Sequence, residues 1–333
     1  DIYYTSSYGD SNYGQTEMQL NTSHGFRIND ALKLSLAADI QWDGLKSSNY
    51  IASRLTAFSA VAASYVGDRF AANAALEYSG AFDKGADSRS ALSPSVDVKY
   101  TAFSGFDIKA FARRAYRMPV FNELYYVGYG NPSLKSEDAW MADFGAWFER
   151  RAGSEWTVKA NLDGFCNWLT DKITSAPSEE DPNIWRPYNI GKVLSIGYDA
   201  TAGLRYSGDR WTFDAKGQYT FQSATDRTSG SSTFGLQIPY IARHTAVLHL
   251  SVSWKGWHLN PSWQWRGGRT DGYGRLPSWN TLDVEFSKGL YLKGVGELVF
   301  TAAARNIADC RYEIVSGYPM PGRNFIGGIE YSF

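Results

Sequence analysis

Glu155-Trp156-Thr157-Val158-Lys159-Ala160-Asn161-Leu162-Asp163-Gly164-Phe165-Cys166-Asn167-Trp168 alternates strictly between two kinds of residue. Trp156, Val158, Ala160, Leu162, Gly164, Cys166 and Trp168 share one face of an extended strand, because successive side chains point to opposite sides. Glu155, Thr157, Lys159, Asn161, Asp163, Phe165 and Asn167 share the other. One face wants an apolar surround and the other wants water. A tilted strand needs about 9–11 residues to cross a bilayer, and the stretch is long enough.

The same period recurs on either side. Leu32, Leu34, Leu36, Ala38, Ile40 and Trp42 oppose Lys33, Ser35, Asp39 and Gln41, and Trp211, Phe213, Ala215, Tyr219 and Phe221 oppose Arg210, Asp214, Lys216 and Gln218. Alternation alone fits a soluble sandwich as well as a barrel wall. Three features favour the membrane. Aromatics such as Trp42, Tyr65, Tyr78, Trp156, Trp168, Tyr198, Tyr206 and Trp254 sit at stripe ends, where interfacial girdles form. Stripe interiors use many Ala and Gly, which lipid tails tolerate better than a close-packed core does. Short turns such as Gly67-Asp68, Ser104-Gly105 and Lys255-Gly256 alternate with long loops, as in outer-membrane barrels.

Composition narrows the function. The formal net charge is -1 and no basic run marks a nucleic-acid surface. Cys166 and Cys310 are expected as unpaired thiols, since two cysteines make no disulfide scaffold and their neighbours lack metal-ligand spacing. No Gly-x-Ser-x-Gly, His-Glu-x-x-His or phosphate loop is present. Asp163, Asp199, Asp214 and Glu285 face the lumen on this register and read as a hydrated wall. No catalytic residue, metal ligand or cofactor is expected.

Taken in order, the segments give about fifteen strands, the first near Gln15 to Arg27 and the last from Arg323 to Phe333. Long loops are expected over Asp43 to Ala52, Phe82 to Arg89, Asp171 to Gly191, Ser223 to Leu236, Arg266 to Pro277 and Asn306 to Pro321. Pro177, Pro182 and Pro187 argue against regular pairing in the third of these. The last strand carries Phe325, Ile329, Tyr331 and Phe333 on one face, an ending that resembles the C-terminal assembly signal of bacterial outer-membrane proteins. Complete bacterial barrels have an even number of strands and both ends inside. With Phe333 periplasmic, an odd count places the segment before Gln15 outside the cell, so the chain is expected to be the C-terminal part of a larger barrel.

The stretch between two of these strands, Tyr116 to Glu137, reads on physics alone as a tyrosine-rich loop with a proline near each end. Tyr116-Arg117-Met118-Pro119 and Asn131-Pro132-Ser133-Leu134 resemble the paired boxes of TonB-dependent outer-membrane receptors. The intervening Phe121-Asn122-Glu123-Leu124-Tyr125 and the following Lys135-Ser136-Glu137 are similar to that family as well. So are Gln237-Ile238-Pro239-Tyr240 with His244, Arg305-Asn306-Ile307, and Pro321-Gly322-Arg323. The resemblance implies an all-β transmembrane antiparallel barrel of about 22 strands closed by an N-terminal plug. Residues 1–333 would then supply only the C-terminal part of the barrel domain. The implied partners are outer-membrane lipid, the N-terminal plug and first strands, the TonB complex acting through that plug, and a surface lipoprotein lid by analogy with Bacteroides-type systems.

Import of a scarce nutrient follows from the resemblance. Heme receptors of the family usually carry a histidine between the boxes, and Val120 to Gly130 holds none. The segment looks closest to vitamin B12 receptors, particularly those of the Bacteroides group, which makes a corrinoid the leading ligand, with heme or a ferric siderophore as the alternative. A passive porin of about sixteen strands is the rival outside the family. Loop position nominates Tyr125, Tyr126 and Tyr129, then Trp185, Arg186 and Tyr188, then Arg269 and Tyr273 as ligand contacts, although outer-loop tyrosines also pack on one another. Pro119 and Pro132 read as loop rigidifiers.

Overall fold

The structure is a computed structural model that describes residues 2–6, 9–178 and 184–333. Among the described residues twenty strands follow one another with a single turn of helix among them. The first are β1 (Ile2–Ser6), β2 (Gly9–Arg27), β3 (Leu32–Ser47), β4 (Ile51–Val66), β5 (Phe70–Asp83), β6 (Arg89–Phe103) and β7 (Phe106–Arg117). After helix α1 (Phe121–Tyr125) come β8 (Glu137–Ala152), β9 (Trp156–Pro177), β10 (Trp185–Ser207), β11 (Trp211–Asp226), β12 (His244–Trp254) and β13 (Trp257–Arg266). The last are β14 (Arg269–Thr270), β15 (Arg275–Leu276), β16 (Trp279–Leu292), β17 (Gly296–Arg305), β18 (Glu313–Val315), β19 (Tyr318–Pro319) and β20 (Asn324–Ser332).

Sixteen of them pair in one antiparallel sheet in chain order, from β1 to β20, while β14–β15 and β18–β19 form two small ribbons within loops. Among the described residues the sheet is open: β1 and β20 each have a neighbour on one side only.

Register shows why these segments pair as they do. Opposite residues share a face, and Leu34↔Ala63, Leu162↔Ala146 and Phe213↔Val252 join stripe to stripe. The apolar face is bare. Leu20 is 73% exposed, Phe144 66%, Leu162 55% and Ile329 71%. A soluble domain rarely exposes more than a few hundred Å² of contiguous apolar surface, so an apolar face covering the whole sheet requires lipid around it. Among the described residues no helix is long and apolar enough to cross a membrane. Aromatics pair near the short-turn end, Trp156 against Tyr206 at 4.8 Å and Trp211 stacked on Trp254 at 5.4 Å. Cys166 is exposed on the outer face, and both cysteines are free.

A sheet of sixteen strands bears out the expected number of about fifteen; the additional one is the short β1 before Gln15, with Ile2 opposite Tyr13. Parity therefore no longer separates a complete barrel from a partial one. Two expected loops are corrected. Asp43 to Ala52 is mostly strand, with the turn confined to residues 48–50. Most of Asp171 to Gly191 is paired as well: β9 and β10 run on together, Pro187 opposite Ser175 and Pro177 opposite Trp185, while Pro182 lies outside the described residues. Proline is tolerated there because only one ladder bond is lost at each, and β9 and β10 pair along their whole length. At 23 residues β10 spans about 75 Å, more than twice a bilayer core, so this hairpin projects well beyond the membrane.

Candidate functional site

The candidate site is the lumen-side surface at the long-loop end of the sheet, built around the segment between β7 and β8. Arg54 on β4, Asp83 on β5 and Arg89 on β6 point to the lumen, since their stripes lie opposite the exposed apolar one. Ile173 and Asn189 on the projecting hairpin oppose each other on the side that meets the loop. The β7–β8 loop is laid against all five. It covers the inner wall from β4 to β10 instead of standing free.

Both boxes act as its fastenings. Arg117, the last residue of β7, sends Nε and Nη2 to Glu137, at 2.8 and 2.9 Å, and holds Glu123 at 3.2 Å. Glu123 in turn accepts the Val120 N–H at 2.9 Å, which satisfies an otherwise unpaired donor at the start of α1. Glu137 also accepts the Ile173 N–H at 2.8 Å. One guanidinium thus ties the ends of the loop to its helix, a use for which its planar fork is suited. Pro119 is fully buried, and its carbonyl accepts from Arg54 at 2.9 Å. In the second box Asn131 donates to the Pro187 carbonyl at 3.0 Å, and its side-chain oxygen accepts the Ser133 N–H. Asn189 brackets Lys135, accepting its N–H at 2.8 Å and donating to its carbonyl at 2.9 Å.

Beneath these bonds, Leu124, Leu134 and Ile173 form a buried apolar cluster with Tyr125 packed on it. Burying each aliphatic side chain contributes roughly 1.5–3 kcal/mol, enough to hold a short segment that a five-residue helix could not hold alone. Gly130 is required by the close approach of the chain: a Cβ there would lie 2.7 Å from the carbonyl of Leu124 and the N–H nitrogen of Tyr125.

The nominated tyrosines are part of this frame. Tyr125 donates to Asp83 at 2.9 Å. Asp83 also receives both Nε and Nη2 of Arg54, at 2.5 and 2.9 Å, and Arg89 at 3.3 Å. Burial, then the hydrogen bond to Asp83 and its charge, push the Tyr125 hydroxyl up to about 12 in pKa, against the opposing pull of Arg89 and Arg54. Tyr126 meets the edge of Tyr50 at 6.3 Å, and Tyr50 also bonds Asn122. Tyr129 shares a hydrogen bond with Ser175 at 2.6 Å. All three tyrosines are half-buried.

The other candidates do not converge. Alternation along β10 puts Trp185 on the side of Asn189, and Arg186 and Tyr188 on the opposite one. Tyr273 is 87% exposed at a loop tip. Arg269 is buried at 5% exposure and donates to the carbonyls of Glu313 and Ile314. What sequence reasoning missed are the partners on distant strands: Arg54, Asp83, Arg89, Tyr50 and Asn189. None sits in a motif, and each is identified only by the pairing of strands. The four histidines scatter, with His24 and His244 on the outer face and His249 and His258 on the inner one. Among the described residues no group of His, Cys, Asp and Glu is placed to hold a metal ion.

A sixteen-stranded wall with a lipid-facing stripe, one end of short turns and one end of folded-in loops is the architecture of a large outer-membrane barrel. The chain belongs to the TonB dependent receptor-like β-barrel family, whose model matches residues 1–307. The vitamin B12 transporter BtuB of Vibrio cholerae serotype O1 is 24% identical over 345 residues, covering 99% of this chain and 52% of that protein. The chain thus spans about half the length of the curated relatives it matches. Among solved structures, the copper transporter OprC superposes with a TM-score of 0.75 at 15% identity, covering 97% of this chain and 57% of that one. The FrpB iron transporter of Neisseria meningitidis (F5-1 variant) gives 0.74 at 14% identity, covering 98% and 57%. These two likenesses show the fold.

Proposed function

We propose that this chain is the C-terminal part of the barrel wall of a TonB-dependent outer-membrane importer, and that its ligand is a corrinoid. The observation that carries the ligand is similarity to vitamin B12 transporters along 99% of the chain. A large, polar, nearly neutral ligand suits the surface described above, where aromatic faces alternate with hydrogen-bonding groups already fixed by ion pairs. Two open sheet edges and a span of about half the curated relatives support a larger barrel. In that barrel the loop end faces outside, Phe333 lies at the periplasmic end, and a plug pulled by TonB opens the path. A surface lipoprotein closing over the loops is a further proposed partner.

Membership in a family of importers favours transport over catalysis. The scatter of the four histidines over both faces gives heme no paired axial ligands from these strands.

The test uses the complete receptor that contains this chain. Cyanocobalamin is expected to bind saturably and to be taken up only when TonB is present. Preferential binding of heme or a ferric siderophore would replace the corrinoid. Liposome swelling without saturable binding would replace the importer with a diffusion porin. Intact mass and N-terminal sequencing of the purified protein address the larger barrel, and a chain of this length that alone forms a closed barrel would overturn it.

A further inference from the structure

Three arginines lie at close quarters at the end of β13 and in the loop after it: Arg266, the last residue of β13, then Arg269 and Arg275. Among the described residues none of the three lies within ion-pair distance of a carboxylate. The acids nearby are committed elsewhere. Asp271 accepts the N–H groups of Tyr273 and Gly274, at 2.9 and 2.6 Å, and Glu313 accepts that of Gly317 at 3.0 Å.

Arg269 is the centre of this arrangement. Its Nη2 donates to the carbonyls of Glu313 and Ile314, at 2.6 and 3.0 Å, which pins the β18–β19 ribbon over it. Its Nε and Nη1 are buried with no acceptor. Beside it the guanidinium of Arg266 lies over the ring of Trp279 at 5.9 Å, and Tyr312 covers that ring at 4.3 Å. The Trp279 indole N–H is also buried without an acceptor, at a residue 7% exposed. Burial, and then the like charge of Arg266, lower the pKa of Arg269. A buried guanidinium normally has its donors matched, and leaving them unmatched costs the desolvation of each group. Three orphaned donors and two adjacent cations make a place that lacks negative charge.

We propose that Arg266, Arg269 and Trp279 form an anion-binding site at the inner rim, roofed by the β18–β19 ribbon, that takes the phosphodiester group of an incoming corrinoid. Arg266 and Trp279 form a cross-strand pair on the lumen face at the top of β13 and β16, so the site lies on the inner side of the wall. On binding, Arg269 exchanges two neutral carbonyls for a charged oxygen pair, a stronger and bidentate partner. Release of Glu313 and Ile314 frees the ribbon, which ties occupancy of the site to the position of the last loop. The choice of phosphodiester rests on the corrinoid reading above, whereas the anion site rests on the orphaned donors alone.

The test has two arms on the complete receptor in detergent. In the first, affinities for cyanocobalamin and for dicyanocobinamide, which lacks the phosphodiester together with the ribose and benzimidazole beyond it, are compared. Wild type is expected to favour cyanocobalamin, and Arg269→Gln to lower that preference by about tenfold or more, the worth of a charge-assisted bond. In the second, inorganic phosphate is titrated while tryptophan fluorescence is followed. A saturable change that disappears in Trp279→Phe and in Arg269→Gln supports the site even if neither corrinoid binds, in which case the corrinoid reading alone fails. Arg266→Lys, which keeps a charge over the ring, is expected to weaken both responses without abolishing them. An unchanged ratio together with no phosphate response would mean that ordered water meets these donors, and would overturn the site.

Discussion

Arg117 and Glu123 show how a motif residue and its partner divide one task. The guanidinium spans two carboxylates, and one of those carboxylates also starts the helix. Arg117→Lys keeps the charge but loses the fork, so the segment from Val120 to Leu134 is expected to open more readily, by about 1 kcal/mol given partial exposure. Hydrogen exchange of its amides would rise several-fold while the barrel melts at an unchanged temperature. Leu124→Ala removes the centre of the apolar cluster and is expected to cost about 2–5 kcal/mol locally, a larger effect on the same amides. Tyr125 supplies the pH dependence. Its folded pKa is raised to about 12 from 10.0, so the neutral phenol stabilises the loop fully below the unfolded value, and that contribution is lost as pH rises through the folded one. Difference absorbance between wild type and Tyr125→Phe should therefore show one phenolate appearing near 12, and its appearance near 10 would break the link to Asp83.

At the scale of elements, alternation assigns each strand residue to lipid or lumen. Leu162 is on the bare face and Asn161 on the inner one. Leu162→Arg places a charge against hydrocarbon and is expected to cost about 2–4 kcal/mol near the midplane, whereas Asn161→Arg should be close to neutral. Refolding of the complete receptor into liposomes, followed by heat-modifiable mobility, separates the two. Equal effects would mean that the faces are assigned wrongly. Most strands were legible from period two, because a two-faced environment imposes it. Residues 171–177 were not legible: with proline at both Pro177 and Pro187, local propensity argues for a loop. Pairing with a partner strand along its full length outweighs it.

Across the whole molecule, the loops fold inward and leave two sheet edges open. β20 and, beyond the short stretch that β1 covers, β2 offer unpaired backbone groups that hydrocarbon cannot satisfy, so the wall is expected to close on further strands. Orientation is checked by epitope tags in intact cells. A tag at Gly272 should bind antibody from outside, and one after Phe333 only once the outer membrane is permeabilised. The reverse pattern would invert the barrel.

The strands, their lipid-facing stripe, the alternation of turns and loops, and the paired boxes of residues 116–137 are all legible in the order of the amino acids. Each depends on local period or on a short motif, and those survive without knowing neighbours. Tertiary structure decided what the boxes do. Arg54, Asp83, Arg89 and Asn189 lie far from them in the chain, and sheet register brings them under the loop, where they hold Pro119, Tyr125, Leu134 and Lys135 in place. It also decided that Arg269 is buried under a ribbon from the last loop. Long-range pairing sets such contacts, and no local pattern encodes which distant strand a loop will lie upon.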